Sequence, residues 1–141
     1  MPDSLITAAM LAVVGQAGES RTATVERGAI QRFAEAIGDG NPAYPDLAPP
    51  TFLRSVGVAI PTLPDGDSIP RVLDGGSEWA FGTPVRPGDE ITFSTILQDL
   101  TERDGRLGAM VIATYLTTFV NQDGIRAATQ RNTVIRMAAT E

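Results

Sequence analysis

Eleven residues, Met110 to Val120, constrain this chain more than any others: Met110, Ile112, Thr114, Leu116, Thr118 and Val120 alternate with Val111, Ala113, Tyr115, Thr117 and Phe119. A strand turns successive side chains to opposite faces, so a run that is apolar or β-branched at both parities predicts a strand covered on both sides and central in its sheet. The flanking sequence supplies neighbours for it. Ile91, Phe93 and Thr95 alternate with Thr92 and Ser94, and Asp104-Gly105 marks the hairpin that follows. Asp123-Gly124 turns the chain into a last strand from Ile125 to about Met137, and Val72 to Phe81 forms a further strand with Trp79 and Phe81 on one side and a bulge at Gly75-Gly76.

The first half reads differently. Leu5 to Val14 is a short apolar packing helix stopped by Gly15 and Gly18, and Thr22 to Val25 suits a short strand. Glu26 opens a helix whose apolar stripe is Ala29, Ile30, Phe33, Ala34 and Ile37, with Arg27, Gln31, Arg32 and Glu35 exposed, and Gly38 ends it. A second helix is predicted from Thr51 to Ile60, apolar on nearly all sides at Phe52, Leu53, Val56, Val58, Ala59 and Ile60, and therefore buried; Pro61 stops it. Thr62 to Pro70 is a Pro, Asp and Gly rich loop. The pattern predicts an α+β fold, an antiparallel sheet wrapped around one buried central helix, in a single domain spanning residues 1–141.

Composition removes whole classes of function. The chain of 141 residues has no cysteine and no histidine, so disulfides, thiolate chemistry, the commonest general base and the commonest zinc ligand are all absent. Acid-base work falls to Asp, Glu or Tyr, or to another chain. A net charge of −6 without any Lys/Arg run argues against nucleic acid and against an anionic membrane surface. The apolar run Leu5 to Val14 is too short to span a bilayer and follows Asp3 rather than a basic residue, so a cytoplasmic location is expected. No metal-ligand cluster, P-loop or dinucleotide fingerprint occurs.

Between the two helices, Ala36 to Leu53 holds two glycines, four prolines, two aspartates and an asparagine, the composition of a shaped functional loop. Asp39, Asn41 and Tyr44 fall within six residues of one another there, with Pro42 and Pro45 restricting the backbone.

Five segments carry a resemblance: Phe33-Ala34-Glu35-Ala36-Ile37-Gly38-Asp39, Ala48-Pro49-Pro50-Thr51-Phe52-Leu53, Leu73-Asp74-Gly75-Gly76, Pro84-Val85-Arg86-Pro87-Gly88-Asp89 and Thr118-Phe119-Val120-Asn121-Gln122-Asp123-Gly124. In this order and spacing the chain resembles MaoC-like (R)-specific enoyl-CoA hydratases of hot-dog fold, and most of all their N-terminal half, the FAS1-like dehydratase domain. Catalytic members of that family carry Asp-x-Asn-x-x-His, in which Asp and His hold the water added across the double bond. Asp39 and Asn41 match, and Tyr44 stands at the histidine position. A phenol titrates near ~10 and an imidazole near ~6.5, so a phenol is the poorer proton shuttle at neutral pH. The His-Gly that begins the buried helix in active members is here Pro50-Thr51, and only six residues separate Tyr44 from Thr51, a shorter connection than active members use. Thr51 keeps an N–H at a helix start, where a thioester carbonyl could still be held.

The resemblance implies a hydro-lyase family member without its catalytic histidine: a non-catalytic, acyl-accommodating subunit that works with a catalytic MaoC-like subunit in a heterodimer or heterotetramer. No cofactor is implied, only an acyl-CoA or acyl-carrier-protein thioester from fatty acid or steroid metabolism as ligand. Asp39, Asn41 and Tyr44 would form the degenerate site, and Thr51, Phe52, Arg54, Trp79 and Arg86 would meet the ligand. Each has a plainer reading beside it. Asp39 suits a turn aspartate, Tyr44 a packed aromatic, Trp79 and Phe81 sheet packing, and Arg54, Arg71 and Arg86 solvated arginines. The rival functions are a homodimeric acyl-thioester binding module and a hot-dog thioesterase. The latter commonly places an acid on the central helix, and Thr51 to Ile60 has none. An oligomer is expected through an open edge among the long strands from Ile91 to Met137.

Overall fold

The structure, a computed structural model, describes residues 3–57 and 59–140. Its elements run α1 (Ala8–Ala12), β1 (Arg21–Thr24), α2 (Arg27–Ala36), a 3₁₀ turn (Pro50–Phe52), α3 (Leu53–Val56), a 3₁₀ turn (Gly66–Ser68), β2 (Arg71–Phe81), β3 (Glu90–Gly105), β4 (Gly108–Val120) and β5 (Arg126–Met137). The strands form one antiparallel sheet in the order β1-β3-β4-β5-β2. The α+β expectation holds, and β4 is central as its alternation predicts.

Only one face of β4 is sealed, however. Val111, Ala113, Tyr115, Thr117 and Phe119 are buried, while Met110, Ile112, Thr114, Leu116, Thr118 and Val120 are half-buried. The core residues of the helices pack on the first face, and no residue of the second belongs to either core. Alternation alone could not separate these two cases, because β-branched and aliphatic residues suit a half-exposed strand as well as a covered one.

Cross-strand register sorts the buried face into rows. Phe93, Phe119, Ala128 and Phe81 lie across from one another, then Thr95, Thr117, Gln130 and Trp79, then Leu97, Tyr115, Asn132 and Ser77. Phe119 lies 5.8 Å from Phe93 and 5.7 Å from Trp79, which stacks in turn on Phe81 at 5.6 Å. Ile30 of α2, Phe52 and Leu53 complete this first core. A second core gathers Met10, Leu63, Ile69, Leu97, Leu100, Val111, Ala113 and Tyr115. The buried Thr95 and Thr117 hydroxyls, 2.7 Å apart, lie on the row between.

The predicted helix over Thr51 to Ile60 is the main correction. It is one 3₁₀ turn and one α turn, over by Val56, and Ile60 is exposed. Val58 lies outside the described residues. The stop is Gly57, not Pro61: its φ is +154°, and a Cβ there would sit 2.6 Å from Phe93 Cζ. The backbone leaves the helix to lie directly on an aromatic ring of the sheet. Gly57→Ala should therefore cost about 1–3 kcal/mol of stability, from strain and overpacking together. Denaturant unfolding measures it, and an unchanged midpoint would show that Phe93 yields freely.

Smaller differences have equally local causes. The N-terminal helix is Ala8–Ala12 rather than Leu5 to Val14, because the Thr7 hydroxyl caps it by accepting from Met10 N at 3.2 Å. Ile37 caps α2 and is exposed instead of extending the stripe. The Thr62 to Pro70 loop buries Leu63 and Ile69. β4 and β5 are interior, because β5 pairs with β4 on one side and β2 on the other, whereas the outer side of β3 is covered only by β1 at Glu90–Phe93 and by the segment around Ala17 up to Leu97, so among the described residues its stretch 98–105 is an open edge. The other open edges are the four-residue β1 and β2, whose Val72, Leu73 and Phe81 are exposed. No described helix is long and apolar enough to cross a membrane.

Candidate functional site

The end of α2 builds the loop that the sequence singled out. Gly38, at φ +68°, donates to Glu35 O at 3.1 Å, and Asp39 N reaches back to Ala34 O at 3.0 Å. These two bonds satisfy the last helical carbonyls and reverse the chain, which only a residue tolerant of positive φ allows cheaply. Asp39 Oδ1 then accepts from Asn41 N at 3.0 Å, and Asn41 Oδ1 accepts from Ala43 N at 3.0 Å. Two consecutive Asx turns thus occupy one oxygen on each side chain. Tyr44 N donates to Asn41 O at 3.1 Å, and the Tyr44-Pro45 peptide is cis.

Asp39, Asn41 and Tyr44 come together on one cavity of about 280 Å³, whose wall also includes Gln31, Glu35 and Pro42. Asp39 and Asn41 are exposed and Tyr44 half-buried. Gln31 and Glu35 were legible only as exposed helix residues. Their spacing of four, continued to Asp39, is the signal that puts them on the face running into the loop. The loop is tied down at Asp46, which pairs with Arg27, and at Ala48, whose N–H donates to Val85 O at 2.8 Å.

The other predicted ligand contacts are dispersed. Thr51 and Arg54 are exposed, and Phe52 is buried with its ring edge-on to Phe33 at 5.7 Å. Trp79 is held between Phe81 and Phe119, the packing alternative. Arg86 is exposed in a turn where its N–H donates to Asp89 Oδ2 at 2.9 Å. The cavity lined by Tyr44 does not include Thr51. A small apolar cavity of about 110 Å³ does lie against the start of the helix, between Pro49, Pro50, Leu53, Phe81, Val85 and Ala127. Among the described residues, no cluster of three or more His, Cys, Asp or Glu side chains is placed to hold a metal.

Residues 12–130 match the family described as FAS1-like, dehydratase domain region. The chain belongs to this family. A UPF0336 protein of Streptomyces coelicolor is 34% identical over 98 residues, 57% of this chain and 65% of that protein. The chain therefore spans just under two thirds of the length of the curated relatives it matches. Among solved structures, a chain of the ChsH1-ChsH2 complex from Mycobacterium tuberculosis superposes with a TM-score of 0.81 at 18% identity, covering 94% of this chain and 95% of that one. A MaoC-like dehydratase from Rhodospirillum rubrum gives 0.66 at 21% identity, with 91% and 94% covered. These likenesses establish the hot-dog fold for this FAS1-like dehydratase domain. The sheet is the wrapped sheet of that fold, and its central helix is cut to Leu53–Val56.

Proposed function

We propose that this FAS1-like dehydratase domain is the non-catalytic, acyl-accommodating subunit of a heteromeric (R)-specific enoyl-thioester hydratase or dehydratase. The observation that carries the reading is Tyr44 at the histidine position of the Asp-x-Asn-x-x-His loop, where it faces the same cavity as Asp39 and Asn41. Those two side chains already hold their own turns. A water molecule between them would still lack an efficient proton carrier.

The shortened helix supports the second half of the reading. Four residues of α-helix are about 6 Å long, against about 15 Å for the ten residues that the sequence pattern suggested. On the buried face beyond it lie two cavities, of about 370 and 100 Å³, on either side of Pro61–Leu63. Space freed there can take part of an acyl chain whose thioester is processed in a partner. A structural neighbour found in a two-component complex is in keeping with such a division of labour.

Co-expression with a companion MaoC-like chain that keeps Asp-x-Asn-x-x-His tests the proposal. The expected result is a co-purifying heteromer that hydrates enoyl-CoA, with activity falling when this chain is omitted. A companion equally active alone, with this chain forming only a homodimer that binds acyl thioester, would establish the binding-module rival instead.

A further inference from the structure

At the end of the sheet away from Tyr44, β4 and β5 place two polar side chains on the second core. Tyr115 is only 3% exposed and lines both cavities beside Pro61–Leu63, yet its hydroxyl has no hydrogen-bond partner among the described residues. The ring is buried, whereas the hydroxyl is not sealed and opens on the cavity space. Arg136 lines the larger cavity and is anchored by one nitrogen alone: Nη1 donates to Gly66 O at 3.3 Å and to Ile69 O at 3.4 Å. Its Nε is sealed from solvent with no partner, and Nη2 has none among the described residues. A sealed Nε is out of a ligand's reach, so Nη2, which is not sealed, is the guanidinium donor left for one. The remaining wall is largely aliphatic, from Ile60, Leu63, Val72 and Val134, and Asp67 is its single carboxylate.

We infer that this cavity of about 370 Å³ is a binding site for an aliphatic carboxylate, held by Arg136 Nη2 and the Tyr115 hydroxyl with its chain against Leu63, Val72 and Val134. Three features converge on that chemistry. Nη2 is unpaired while Nη1 fixes the guanidinium plane, so little side-chain order is lost when an anion arrives. Tyr115 supplies a hydroxyl donor, and its environment couples it to the same guanidinium: burial pushes the phenol above its ordinary value while Arg136 pulls it back. Asp67 forms no ion pair with Arg136, so the positive charge is left for a ligand. The inference uses none of the residues around Tyr44. It shares the larger cavity with the acyl-accommodating reading, and the octanoate against octanamide comparison tests the carboxylate site apart from any hydratase activity.

Titration calorimetry of the 141-residue chain with octanoate, and with octanamide as the uncharged isostere, tests it. Octanoate should bind at least about tenfold more tightly than octanamide, the usual difference when a charged hydrogen-bonded pair is lost. Tyr115→Phe and Arg136→Lys should each weaken octanoate, Lys because it keeps the charge and loses the planar donor that the Nη1 bonds hold in place, and Asp67→Asn should tighten it. Arg136→Gln risks releasing the Gly66 and Ile69 carbonyls, so the test uses the other three variants, checked for unchanged unfolding midpoints. Competition by adipoyl-CoA but not hexanoyl-CoA would identify the carboxylate as the far end of a thioester-linked chain. Competition by neither would identify a free acid. Equal binding of octanoate and octanamide, no octanoate binding, or Tyr115→Phe and Arg136→Lys variants that bind octanoate unchanged would each overturn the inference.

Discussion

Purified alone, the chain is expected to leave crotonyl-CoA and longer enoyl-CoA substrates unhydrated, at a rate about 10²–10⁴-fold below a histidine-bearing hydratase, which is the contribution a positioned acid-base group makes. Tyr44→His should restore little of it. The loop is built around Asx turns that hold one oxygen each of Asp39 and Asn41, and the helix start that would polarise the thioester carbonyl is Pro50-Thr51, neither of which lines the Tyr44 cavity. A spectrophotometric hydration assay checks both statements. Robust turnover by the isolated wild-type chain would end the non-catalytic reading, and full rescue by Tyr44→His would show that Pro50-Thr51 is no obstacle.

The second large effect concerns assembly through β2. This strand pairs with β5 on one side only, and Val72 and Leu73, adjacent and so on opposite faces, are exposed at 53% and 48%. Unpaired N–H and C=O groups flanked by apolar side chains favour a second strand. Arg71, Asp74, Glu78 and the irregularity between Asp74 and Ser77 limit where it can pair, which gives the edge selectivity rather than general stickiness. The double variant Val72→Lys, Leu73→Lys should weaken the oligomer at least ~100-fold, since each buried unpaired charge costs about 2–5 kcal/mol. Light scattering should then find a monomer with an unchanged far-UV spectrum. A variant that assembles like the wild type would move the interface away from this edge.

Much of the architecture is readable in the chain itself. The Met110–Val120 alternation, the glycine punctuation at Gly38 and the Gly75-Gly76 irregularity are local signals, each decided within a few residues by backbone sterics and side-chain parity, whereas the hairpin turns at Arg106-Leu107, just past the Asp104-Gly105 signal, which ends β3 instead. The Asp39, Asn41 and Tyr44 cluster is readable for the same reason, since Pro42 and Pro45 restrict a six-residue segment that turns back on itself. Arg136 and Tyr115 are invisible as a pair. They are 21 residues apart on neighbouring strands, and no short motif records cross-strand register.

By itself, then, the sequence determined most element types, the central strand, the loop with Tyr44 in place of a histidine and the membership in the FAS1-like dehydratase family. Tertiary structure alone decided three things. The apolar Thr51–Ile60 pattern promised a ten-residue helix, but Gly57 lies on Phe93, so close packing against a sheet residue 36 positions away overrode a local periodicity. The open edges fall on β2 and on β3 beyond Leu97, because β5 pairs with both β4 and β2 while β1 is too short to cover β3. And the polar ends of Tyr115 and Arg136 met over one cavity because register, not spacing along the chain, sets which side chains share a face.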